Sequence, residues 1–132
     1  MVKYLKQYEI FFNKAKVDYN LAKYGLDGFY NENLEIDLEV INFHLQQCAE
    51  KLLKCLLDYN SIKFAKVHDL KLLIKIINDN SIELINNIEE LIPLTDYAVE
   101  GRYSIMHDDI NDVDKYVEIL IKFIEFTKNK IS

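Results

Sequence analysis

Residues 36–59, IDLEVINFHLQQCAEKLLKCLLDY, decide the fold class. Within them Leu38, Ile41, Leu45, Cys48, Leu52, Cys55 and Tyr59 recur at steps of three and four, the period of one face of a helix. The run predicts a helix of about six turns from Ile36 to Tyr59. Upstream, Leu5, Tyr8, Phe12, Ala15, Tyr19, Ala22 and Leu26 keep the same period, so a first helix is expected from Lys3 to Leu26. Gly25, Asp27 and Gly28 read as its end, and Phe29 to Asn33 as a polar and aromatic connection. Two long helices joined by a short loop are expected to pack antiparallel.

Downstream the pattern is shorter. His68 to Asn78 reads as a third helix carrying Leu70, Leu73, Ile74 and Ile77. Ser81 resembles an N-cap for a fourth, with Leu84, Ile85, Ile88 and Leu91 inside it. Pro93 is expected to interrupt that element, with helix resuming through Thr95 to Arg102. A last helix is expected from Asp112 to Lys130, acidic at its start and basic at its end as the macrodipole prefers. Val113, Tyr116, Val117, Leu120, Phe123, Ile124 and Thr127 form one face of it, while Ile119, Ile121 and Phe126 fall on others. That excess of apolar surface suggests a subunit interface, and so a homodimer.

The chain has 132 residues, half of them hydrophobic, with only three Gly and one Pro. A chain so poor in helix breakers reads as all-α, an up-and-down four/five-helix bundle forming a single domain over residues 1–132. The formal net charge of −6 argues against general charge-driven nucleic-acid binding but leaves room for a local cationic site. The N-terminus lacks a signal-peptide profile and no apolar run approaches a membrane span, so a cytoplasmic protein with no membrane partner is expected. Cys48 and Cys55 lie about 10 Å apart along one helix, too far for a mutual disulfide, and read as buried free thiols.

Arg102 and His107, separated by Tyr103, Ser104, Ile105 and Met106, form the one constellation suited to phosphodiester chemistry. Arg is a permanent cation matched to phosphate, and His exchanges protons near neutral pH. The plainer reading is a helix-terminal Arg paired with Glu100, Asp108 or Asp109 beside a solvated His.

The segment Phe43-His44-Leu45-Gln46-Gln47-Cys48-Ala49-Glu50-Lys51-Leu52-Leu53-Lys54 resembles the second helix of HEPN domains, which often reads Phe-His-x-Gln-Gln-x-x-Glu-Lys-x-x-Lys. Val67-His68-Asp69-Leu70 resembles the step that opens that family's next short helix. Asp96 to Tyr103 resembles the Arg-Tyr element closing its penultimate helix. The resemblance implies a small helical bundle, usually dimeric, often paired with a small nucleotidyltransferase protein in toxin–antitoxin-like modules. It also implies a metal-independent endoribonuclease acting on RNA, with no cofactor, through an Arg-x4-His motif that Arg102 and His107 match. His107 is then the acid or base, and Arg102 the stabiliser of phosphorane charge. Tyr103 and Asp109 occupy positions where active branches carry other residues, and Asp109 replaces the tyrosine of the branch modified by its nucleotidyltransferase. The alternative function is a non-catalytic adaptor or nucleotide-binding partner acting through its dimer surface.

Gln47, Glu50 and Lys54 lie along one helix face. With Tyr103 they are candidates for lining a nucleotide or partner groove, while a buried polar network fixing helix register is the plainer account of Gln46, Gln47, Glu50 and Lys51. His44 and Cys48 sit one turn apart without a second pair, so no metal site is expected. Tyr4, Tyr8, Phe11, Phe12 and Tyr19 read as core, not as a base-stacking platform.

Overall fold

The computed structural model describes residues 4–33, 35, 37–98 and 110–132, and among these every regular element is helical. Helices α1 (Gln7–Glu32), α2 (Leu38–Tyr59), α3 (Leu70–Asp79) and α4 (Ile110–Ile131) are joined by a 3₁₀ segment, Ile88–Tyr97, between α3 and α4. The central element is α2, which packs against each of the others. Its sequence explains this: Leu52, Leu53, Cys55, Leu56 and Leu57 are all buried, covering more than one face of the helix.

Helix α1 runs six residues beyond its expected end. Gly25 and Gly28 lie inside it, and the chain leaves the helix only at Asn33, whose φ of 52° is left-handed and whose N–H donates to the Gly28 carbonyl. Each interior glycine costs about 1 kcal/mol relative to alanine. Burial of Leu26 offsets that cost, and Gly25 sits where Ile41 approaches, with Ile41 Cδ1 about 3.5 Å from where a Cβ would stand.

The tripeptide Asn-Ser-Ile ends both α2 and α3 in the same way. Ser61 and Ser81 adopt left-handed φ values of 59° and 58°. Ile62 N–H donates to Leu57 O at 2.9 Å and Ile82 N–H to Ile77 O at 3.2 Å, the six-to-one bond of a Schellman cap. Asn60 and Asn80 each return their side-chain amide to the carbonyl four residues earlier. Ser81 therefore closes a helix instead of opening one, which corrects the expectation of a fourth α-helix there. Residues 82–87 are not helical, and Ile88, Leu91, Leu94 and Tyr97 are buried at steps of three. A three-residue period is that of the 3₁₀ form, and it accommodates Pro93 within the segment.

Helix α4 buries more of itself in one protomer than expected. Ile119 is 4% exposed and Phe126 half-buried, leaving Ile121 at 42%. The contacts of α4 with α1, α2 and the 3₁₀ segment account for its apolar surface, so that helix supplies no argument for a dimer. No described helix is long and apolar enough to cross a membrane.

Candidate functional site

Arg102, Tyr103 and His107 lie outside the described residues. Gln47, Glu50 and Lys54 are brought together, but not as three residues lining one groove. Glu50, buried in α2, is the hub. Its Oε1 accepts from Gln46 Nε2 at 3.0 Å and from His68 Nδ1 at 2.9 Å, and its Oε2 accepts from Lys54 Nζ at 2.9 Å. Gln46, fully buried, also donates to the His68 carbonyl at 3.2 Å and accepts from Gln47 Nε2 at 2.8 Å. Every polar group of the Gln46 side chain thus has a partner, the condition under which a buried polar network rigidifies a core.

Burial alone would push the Glu50 carboxyl up, but the hydrogen bonds from Gln46, Lys54 and His68 outweigh it and hold the group below the usual carboxylate range. Because a carboxylate accepts, His68 must carry a proton on Nδ1, and its Nε2 is turned away from Glu50 on a largely exposed ring. The backbone fixes this histidine as well. Asp69 caps α3 by accepting from Lys71 N–H at 3.0 Å, and the N–H of Leu70 donates to Thr95 Oγ1 at 3.2 Å, tying the start of α3 to the 3₁₀ segment.

Lys54 and His68 leave the network at the wall of a cleft of about 810 Å³. Gln7 and Phe11 from the first turns of α1 line one side, Lys54 and Asp58 from the end of α2 another, and Ser61 to Phe64, Lys66 and His68 close it. Phe11 and Phe64 approach to 6.2 Å between ring centroids, and Lys54 Nζ lies 6.0 Å from the Phe64 centroid. Three lysines and a histidine face one aspartate here, on a chain whose net charge is −6. The left-handed Ser61 turns the chain so that Lys63 and Lys66 return over the end of α2.

Sequence reasoning places Lys54 in a candidate groove but misses Lys63, Phe64, Lys66 and His68. The interleaved Lys-Phe-Ala-Lys of residues 63–66 is the signal that could have found them. Among the N-terminal aromatic residues, Phe12 and Tyr19 of α1 are core as expected, whereas Phe11 faces the cleft and Tyr4, which precedes the helix, is exposed. Tyr8 packs edge-on against Tyr59 at 5.0 Å.

A second cluster joins α1 to α2. Asp18, buried on α1, accepts from His44 Nδ1 at 3.0 Å and from Lys51 Nζ. His44 is thus engaged by a carboxylate. Cys48 is fully buried, and desolvation pushes its thiol well up, while Cys55 is pushed up to about 12 for the same reason. Both are free thiols held in their protonated, unreactive form.

An all-helical domain braced by a buried Gln–Glu–Lys–His network, with a basic and aromatic cleft at its edge, is the class of protein these elements define. The chain belongs to the HEPN domain family, whose model it matches over residues 4–131. It also superposes on the crystal structure of an archaeal HEPN homologue with a TM-score of 0.65 at 23% sequence identity, covering 97% of this chain and 100% of the other. That likeness is one of fold. No curated protein matches the sequence.

Proposed function

We propose that this HEPN domain binds the phosphate groups of a nucleotide in the cleft between α1, the end of α2 and residues 61–68, as the nucleotide-binding component of a module shared with a small nucleotidyltransferase protein. The cleft's lining carries the proposal. Lys63 and Lys66 supply positive charge, Lys54 supplies a donor already oriented by Glu50, and the same carboxylate fixes the His68 ring at the cleft wall. Phe11 and Phe64 offer apolar faces to a base. Preorganised donors lose little entropy on binding, so a small site of this kind gains affinity from rigidity.

Calorimetric titration with ATP, AMP and adenosine tests this. ATP is expected to bind more tightly than AMP, adenosine weakest, with affinity falling as salt rises. Lys63→Glu/Lys66→Glu is expected to weaken ATP roughly tenfold or more, about 1.4 kcal/mol per factor of ten. Lys75→Glu, outside the cleft, should leave it unchanged. Equal affinity for ATP and adenosine, or an unaffected double variant, sinks the proposal.

The spacing of Arg102 and His107 favours a second reading, a metal-independent endoribonuclease whose RNA is cut at that pair. Cleavage of single-stranded RNA in the presence of a chelator is then expected, and His107→Ala should slow it about 10²–10⁴-fold, the usual worth of general acid–base catalysis. Arg102→Ala should slow it too, by removing stabilisation of the phosphorane. Intact RNA with the wild type, or equal cutting by both variants, rejects this reading and leaves the nucleotide-binding one standing.

A further inference from the structure

His68 meets the cleft in a form that a phosphate cannot use. Its Nδ1 carries a proton, because the Glu50 carboxylate 2.9 Å away only accepts. In the neutral ring the other nitrogen, Nε2, then presents a lone pair. Two further contacts lock this arrangement. Glu50 is itself tied to Gln46 and Lys54, and the His68 carbonyl accepts from Gln46 Nε2 at 3.2 Å. The imidazole side chain is 58% exposed and lines the cleft. Charged groups reach it from two sides. Helix α2 brings Glu50, Lys54 and Asp58, and the returning chain brings Lys63 and Lys66, with Asp69 next in sequence. Gln7 and Phe11 of α1 are uncharged, as is Thr95 of the 3₁₀ segment, which holds the neighbouring Leu70 N–H.

We infer that His68 contacts a phosphate ligand only as an imidazolium, so that filling the cleft with a phosphate draws a proton from solvent onto Nε2, while adenosine draws none. The inference rests on the cleft being a phosphate site. A lone pair set against a phosphate oxygen repels it, whereas a protonated Nε2 donates a charge-assisted hydrogen bond to it. In the empty cleft Lys54, Lys63 and Lys66 oppose a further positive charge. A bound phosphate neutralises them and leaves the imidazolium between two anions, the ligand at Nε2 and Glu50 at Nδ1. Proton uptake is thereby coupled to occupancy. The bound state holds the extra proton, so affinity for a phosphate ligand rises as pH falls. One coupled proton gives a slope of at most about tenfold per pH unit, across the range near neutrality where imidazoles titrate, and no slope below it.

Calorimetric titration with ATP across neutral pH, on the wild type and on His68→Asn, tests this. Asparagine sets an amide N–H where Nδ1–H stands, and so keeps a donor for Glu50, but it has no nitrogen to protonate. The ionisation of ATP itself is common to both proteins and cancels in their affinity ratio. That ratio, wild type over variant, is expected to be about threefold or more larger at about pH 6.5 than at about pH 8. With adenosine it should not change with pH. Nitrogen NMR of the assigned wild-type histidines reads the proton without any substitution. Slightly above neutral pH, ATP should move the His68 Nε2 signal from the unprotonated to the protonated range, and adenosine should not. An affinity ratio flat in pH, or an Nε2 that stays unprotonated with ATP bound, overturns the inference. If Lys63→Glu/Lys66→Glu still weakens ATP, the cleft remains a phosphate site in that event. ATP that fails to bind the wild type at any of these pH values rejects the phosphate site, and the coupled proton with it.

Discussion

Replacing Glu50 by alanine is expected to destabilise the protein by about 3–5 kcal/mol, the usual cost of removing one partner from a buried ion pair. Lys54, itself buried, would keep its charge and lose its counter-ion, and Gln46 would lose one acceptor. In urea unfolding, with slopes of about 1–3 kcal/mol per molar, the midpoint should fall by one molar or more. Glu50→Leu/Lys54→Met, which removes both charges and keeps the volume, should recover most of the loss. A single variant within about 1 kcal/mol of wild type would show that Lys54 reaches water and that the pair is not buried in solution.

The same residue makes stability depend on pH in a defined direction. The folded-state pKa of Glu50 is lowered, so its contribution is fully present above the unfolded-state value of about 4.3 and is lost as pH falls through the folded-state value below it. Acid titration of the wild type should show this loss, and Glu50→Leu/Lys54→Met should show less of it.

Phe123→Ala is the second large effect, with an expected loss of about 3–5 kcal/mol from lost burial plus the cavity left behind. The ring is fully buried in α4 and stands 6.5 Å from Phe126. Ile121→Ser on the same helix should stay within about 0.5 kcal/mol, because Ile121 is 42% exposed. Thermal melts of the two variants separate the core of α4 from its surface. Similar losses at both positions would place Ile121 in a contact that a single chain does not make.

The difference between those two isoleucines, Ile119 buried and Ile121 exposed, illustrates what helical periodicity conveys. Period alone identifies the most apolar face of α4. It does not say how wide a wedge its neighbours cover, because that width depends on α1, α2 and the 3₁₀ segment approaching together. Ser81 shows a different limit. Serine serves both as an N-cap and, less often, as the left-handed residue after a helix, and local composition does not separate the roles.

Helical character, and the two helices that matter most, are written in the chain itself. Two long amphipathic stripes, few breakers and the Phe-His-x-Gln-Gln-x-x-Glu-Lys-x-x-Lys run are enough for the fold class and the family, because helix period and near-neighbour spacing are local properties. The partners of Glu50 are only half legible there. Gln46 and Lys54 lie one turn away on the same helix, whereas His68 arrives from a segment eighteen residues downstream. The cleft belongs wholly to the tertiary structure. It exists because Schellman closure at Ser61 turns the chain back over α2 beside the start of α1, and no property of residues 61–68 alone requires Phe11 to be there.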